Sequence, residues 1–394
     1  MAMAYPAVLS VVQTEWQLSS TAAGSISSAY QIGTAVALVF VSALADYLNP
    51  RLVFRVSAGL TAVVSLLIPV LAHGHVSALL LFGAVAVAVA GIYTPGIMLL
   101  ADRFEPARRG RAVGWFLAAS SMGYVLALLL GGAVVARAGW RSALFVLALG
   151  PLLCFALSLV LFHHEGARGR VARPPRRLSL DADLSGNKPA QLMIWGFVFH
   201  SWELLGMWAW TPAFVAAALA VHGTSAAQAA GFGASLSALF HVMGIVASAV
   251  GGTLSDRWGR TAVIAGMMLV SSACSFSFGW MLGGPLLLLV LVGSLYGFSA
   301  LGDSSVYSTG ITETVKPERL GAALAIRSLL GFGAGAISPL VFGRVLDVYG
   351  GQSAPAAGWG WAFGVLGAGG VLGLLSMLWL RTLPESRRLA GGKR

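Results

Sequence analysis

The sequence predicts an all-α membrane protein of two six-helix bundles related by internal duplication. Three observations predict it: the composition, the spacing of the charges, and a polar loop that recurs at half the chain length. Of 394 residues, 57% are hydrophobic and only 10% are charged, with a mean hydropathy of +0.82. A soluble domain carries about 25% charged residues, so this chain is not one. The net charge of +11 would suit a nucleic-acid partner, but the charges sit in short clusters between apolar runs. Those runs are about 20 residues long, enough for a helix to cross a bilayer. The expected surroundings are therefore lipid, with no nucleic acid. Alternating strand patterns are missing, which argues against a β-barrel. Cys154 and Cys274 both lie inside apolar runs, so no disulfide framework, metal site or cofactor is expected.

Taken in order, residues 1–13 are apolar but too short to span, and Pro6 interrupts them. Spans follow at about 21–44, 52–72, 76–100, 112–135 and 142–162. A second set covers about 191–221, 227–252, 262–282, 285–310, 320–345 and 358–380. Between the sets lies a polar stretch with Arg168, Arg170, Arg173, Arg176, Arg177 and Lys188, read as a basic linker on the membrane surface. The expected division is a first bundle at 1–162, a linker at 163–190, a second bundle at 191–381 and a tail at 382–394.

Charge asymmetry sets the orientation. Of the 25 Lys and Arg, all but four fall in the even-numbered loops and the tail. Arg137, Arg141 and Arg344 lie on the opposite side, and Arg327 lies inside a span. Basic loops stay in the cytoplasm, so a cytoplasmic C-terminus in the plasma membrane is expected.

The recurring loop is Gly251-Gly252-Thr253-Leu254-Ser255-Asp256-Arg257-Trp258-Gly259-Arg260. An eroded copy, from Ser42 through Asp46 to Arg51, places Asp46 210 residues before Asp256. Glu105 and Lys316 align at a separation of 211, and Gln31 and His241 at 210. Agreement between separate sites points to duplication. By that register, the counterpart of Gln191 falls 19 residues before Met1. The expectation is a first helix shortened at its start.

Six plus six helices, a basic central loop and a duplicated Gly-x-Leu-x-Asp-Arg-x-Gly-Arg loop resemble the major facilitator superfamily of secondary transporters. Leu254, Asp256, Arg257, Gly259 and Arg260 match its signature. Asp46 and Arg51 match in the first half, where Tyr47 and Asn49 depart from it. The resemblance implies a cytoplasmic gate at Asp46, Arg51, Asp256, Arg257, Gly259 and Arg260, in which arginines bridge the two bundles. Gly114, Gly123, Gly131 and Gly132 keep the spacing of a glycine-rich antiporter motif, but Ala127-Leu128 replaces its central Gly-Pro. The direction of transport stays open.

Ionisable groups inside spans cost roughly 2.5–3.5 kcal/mol at a helix centre, so each invites a role. His200 and Glu203 are three residues apart, on one helical face that Met207 extends. Because burial favours the neutral form of a carboxyl group, Glu203, His200 and Asp303 are the candidates for proton coupling. Inter-helix hydrogen bonding is the alternative. The candidates for the substrate cavity are Tyr5, Tyr93, Trp202, Met207, Tyr296 and Arg327. Arg327 could instead extend its head group to the membrane surface, and Trp202 could simply pack.

The predicted function is secondary active transport of a small organic solute by alternating access, proton-coupled, by a monomer. The alternatives are a transporter-like sensor and an anion or carboxylate exchanger without proton coupling. An enzyme is not expected, since the chain holds neither HExxH nor GxSxG.

Overall fold

A computed structural model describes residues 1–162, 186–316 and 319–393. Most of the predicted linker, through residue 185, lies outside the described residues, as does the side chain of Asp46. The described residues form helices α1 (Ala4–Glu15), α2 (Ser20–Tyr47), α3 (Pro50–Leu71), α4 (His75–Arg103) and α5 (Pro106–Leu161). After the linker come α6 (Lys188–Val221), α7 (Ala226–Trp258), α8 (Arg260–Phe278), α9 (Leu286–Gly302), α10 (Ser304–Thr314), α11 (Leu320–Val348) and α12 (Ala356–Thr382). A 3-10 stretch, Pro384–Gly392, follows α12. There is no strand among the described residues. Nine stretches among them are long and apolar enough to cross a membrane.

Local chemistry explains the breaks. Asn49 caps α3 through its side chain, which accepts the Arg51 N–H, and Pro50 takes the first turn, where its missing donor costs nothing. Asn187 caps α6 in the same way. Gly139 turns α5 back on itself with φ 76° and ψ 172°, so its two arms, 106–138 and 140–161, are separate crossings. Gly259 joins α7 to α8 at φ 97°, a conformation that L side chains rarely adopt. The helical assignment from α9 to α10 is interrupted at the single residue Asp303. Helix α1 has 12 residues, about 18 Å of rise, against about 30 Å of hydrocarbon.

Helices α2, α3, α4 and α5 pack on one another, and α6 to α12 form a second packed set. α1 lies against α5, α6 and α7, between the two sets. Helix α6 is the most enclosed of the candidate spans. Its Trp210 stacks on Phe342 at 5.1 Å between ring centroids, and its Phe214 packs against Phe278, Phe363 and Trp359.

The two sets meet most intimately at one end. There α2 lies along α11, and α5 lies along α7. A Cβ on Gly24 would come within 2.2 Å of the Pro339 carbonyl oxygen, and one on Gly343 within 2.2 Å of the Ser20 oxygen. Gly132 faces the Gly231 oxygen in the same manner. This end holds the α1–α2 and α11–α12 connections and is called the Asp347 end. The other holds the α7–α8 connection and is called the Asp256 end.

Candidate transport pathway

A buried polar cluster sits where α6 meets the α9–α10 junction. His200 and Asp303 are almost fully buried, at 3% and 0% exposure. His200 Nδ1 lies 2.9 Å from Asp303 Oδ1, and its Nε2 lies 2.8 Å from the Ser304 hydroxyl. The imidazole is close to the carboxylate but not well aimed at it, so neither Asp303 oxygen has a directed hydrogen bond. Phe197 and Tyr307 flank the imidazole at 5.5 and 5.8 Å.

Glu203 is equally buried and faces elsewhere. Its Oε2 accepts a 3.1 Å bond from Ser271 of α8, while Oε1 has no partner. A Cβ on Gly370 of α12 would touch its carboxylate. The i, i+3 spacing that places His200 and Glu203 on one face still leaves about 60° between them. In a close bundle that angle sends one toward α10 and the other between α8 and α12.

Several predicted cavity residues lie inside a bundle. Tyr296 is 1% exposed and donates to Ser275 at 2.9 Å. Trp202 donates to the Val365 carbonyl at 3.0 Å and covers Gly369 of α12, so its ring packs against α12. Met207 is buried in the main apolar core. Tyr5 is buried, donates to the Ala23 carbonyl at 3.1 Å and packs on Phe82.

Two predicted residues do face across the halves. Arg327 and Tyr93 lie within electrostatic reach of each other, and Tyr93 is 44% exposed. The Arg327 guanidinium donates to Ser308 at 2.7 Å and sits 4.2 Å above the Phe197 ring. No carboxylate among the described residues pairs with it. Further along the divide, Tyr124 of α5 meets Trp208 of α6 at 5.4 Å, and Trp208 meets His241 of α7 at 4.9 Å.

At the Asp256 end, Arg260 binds within the second half. It donates to Ser255 at 2.7 Å, to Asp256 at 2.5 Å and to Glu313 at 2.8 Å. Glu313 also accepts the Ala390 N–H at 3.0 Å, and Lys393 donates to the Asp256 carbonyl at 2.8 Å. The motif therefore ties α7, α8, α10 and the tail together, and the predicted bridging between bundles is not what Arg260 does here. Arg257 is exposed, and Arg51 opens α3 with its N–H on the Asn49 side chain.

Comparison with known proteins fits this architecture. The family model described as Major Facilitator Superfamily matches residues 1–309 and, overlapping, 222–394. The chain belongs to the Major Facilitator Superfamily. As a superfamily member it is a multi-pass membrane transporter of a small molecule and not an enzyme. It is 29% identical over 375 residues to a probable transporter, SCO4007, of Streptomyces coelicolor, across 93% of this chain and 81% of that one. It is 26% identical over 282 residues to a citrate-proton symporter of Salmonella typhi, across 70% of this chain and 62% of that one. A bacterial homologue of the human lysosomal transporter Spinster, solved inward-facing and unoccupied, superposes with a TM-score of 0.77 at 17% identity. That match covers 98% of this chain and 94% of the other.

Sequence reasoning missed two things. Asp347 of α11 reaches the first turn of α2, and Glu313 completes the Arg260 cluster. Both partners are remote in sequence, so no local pattern flags them.

Proposed function

We propose that the chain carries a small organic solute across the membrane by alternating access, coupled to protons through His200 and Asp303. The observation that carries this reading is Asp303, fully buried between α9 and α10, beside an imidazole but without a directed hydrogen bond. Protonation of the carboxylate removes the charge that draws it to the imidazole 2.9 Å away, and α6 can then shift against α10. The relative named as a citrate-proton symporter supports coupling of this kind. The Asp256 end is assigned to the cytoplasm because basic residues crowd its loops. Close backbone contact at the opposite end, with Tyr93 exposed between the halves, supports an inward-facing state. The assignment to the plasma membrane and to a monomer belongs to the same reading, as does the division into bundles at 1–162 and 191–381.

Flux into proteoliposomes tests it, using a panel of carboxylates, nucleosides and organic cations with and without an imposed pH gradient. Uptake stimulated by the gradient is the expected result, and uptake indifferent to it removes the coupling. A second reading, anion exchange without protons, is favoured by Arg327, a cation between the halves with no carboxylate counter-ion among the described residues. Gradient-independent exchange of carboxylates would select it.

A further inference from the structure

At the Asp347 end the two halves are joined by one carboxylate. Asp347, in the last turn of α11, accepts the Ser20 N–H at 2.6 Å on Oδ1. Its Oδ2 accepts the Thr21 N–H at 2.8 Å and the Thr21 hydroxyl at 2.6 Å. The first N–H groups of a helix have no partner within it. Ser19 takes the Ala22 N–H of α2, while the Ser20 and Thr21 N–H groups go to a residue 326 positions or more further along the chain. Charge-assisted bonds are the stronger kind, and the start of a helix favours a negative charge.

The backbone around this contact makes it selective. Gly24 and Gly343 let α2 and α11 approach closely enough for the carboxylate to reach both N–H groups. Gln13 closes the side of the contact, donating to the Ser20 hydroxyl at 3.2 Å. Thr14 and Gln352 meet at the exposed rim at 3.2 Å. When the halves part, water replaces Asp347 at two exposed N–H groups, so the contact favours one state without forbidding the other.

We propose that Asp347 is a positioning residue for transport. By capping α2 from the opposite half, it is the latch that holds the Asp347 end closed. This rests on the alternating-access reading, but its test does not require transport. On a background in which Cys154 and Cys274 are alanine, Ala234→Cys places one thiol in the α5–α7 contact against Gly132. That contact lies at the same end but in the other seam between the halves. The rate at which a membrane-impermeant maleimide labels this thiol then reports opening of the whole end, not of the α2 start alone. Asp347→Ala is expected to raise the rate about tenfold, the effect of losing a helix cap that carries full charge. Asp347→Asn should give a smaller rise and serves if the alanine variant does not fold. Thr14→Val, which removes the rim contact and a bond to the Ser10 carbonyl within α1 but leaves Asp347 in place, should leave the rate unchanged. An unchanged rate in both Asp347 variants, or an equal rise in Thr14→Val, overturns the latch. Absence of flux with the rate increase intact would overturn the transport reading and leave the latch standing.

Discussion

Asp303 lies 2.9 Å from the His200 imidazole, yet its carboxylate has no directed hydrogen bond. An isosteric amide cannot bind a proton but keeps the packing. Asp303→Asn is therefore expected to insert normally and to exchange substrate in both directions, while losing stimulation by a pH gradient. Counterflow and gradient-driven uptake, measured on the same proteoliposomes, separate the two outcomes. Gradient-driven uptake at the parent rate would remove Asp303 from the coupling path.

Glu203 should behave differently. It faces Ser271 and Gly370, on the side of α6 turned away from Asp303. Glu203→Gln is expected to keep most gradient-driven uptake, since the amide still accepts from Ser271. Glu203→Ala should lower thermal stability by about 0.5–1.5 kcal/mol, the usual net worth of one hydrogen bond, because Ser271 keeps its bond to the Met268 carbonyl. Complete loss of coupling in the glutamine variant would put Glu203 on the proton path with Asp303.

The contrast between these two acids marks what the sequence makes legible. Length, apolar spacing and loop charge are one-dimensional signals, and they specify an all-helical membrane protein; the resemblance of its repeated loop to the major facilitator superfamily adds transport. His200, Glu203 and Asp303 are legible as anomalies because a carboxyl group in an apolar run is costly wherever it points. Their partners are not, because 60° of helical rotation decides between α10 and α8. Asp347 carries no such anomaly. An acid near a helix end is common, and its meaning depends on an α2 start more than 300 residues away.

Arg260 and Asp256 share a motif but not an environment. Arg260 is 7% exposed and binds Glu313, Ser255 and Asp256. The Asp256 side chain is 70% exposed. Truncating a cation with three partners costs more than truncating an exposed pair, which contributes about 0–1 kcal/mol. In a thermal-shift assay on detergent-solubilised protein, Arg260→Ala should lower the melting temperature far more than Asp256→Ala. The reverse order would mean that Asp256 has a partner that forms only in another state.

Glycine spacing predicts where bulk is tolerated. A Cβ at position 24 would meet the Pro339 backbone oxygen at 2.2 Å, while one at position 123 meets nothing within 4 Å. Gly24→Ala should push α2 from α11 and speed maleimide labelling of the Ala234→Cys thiol. Gly123→Ala should not. Equal labelling in the two would show that the α2–α11 contact relaxes without opening the end.

Arg327 carries the last prediction. Its guanidinium rests on Phe197 and Ser308 and faces Tyr93 of the other half, without a carboxylate among the described residues. A cation so placed attracts an anion to the seam, and a bound anion stabilises the state it binds. At a ligand concentration of 100 times Kd that stabilisation is about 2.7 kcal/mol. Di- and tricarboxylates are therefore expected to raise the melting temperature of the parent protein. Arg327→Gln should abolish the rise, and Arg327→Lys should weaken it, because lysine keeps the charge but loses the planar fork that grips a carboxylate. A rise that survives in Arg327→Gln would place the anion elsewhere and leave Arg327 as a packing element over Phe197.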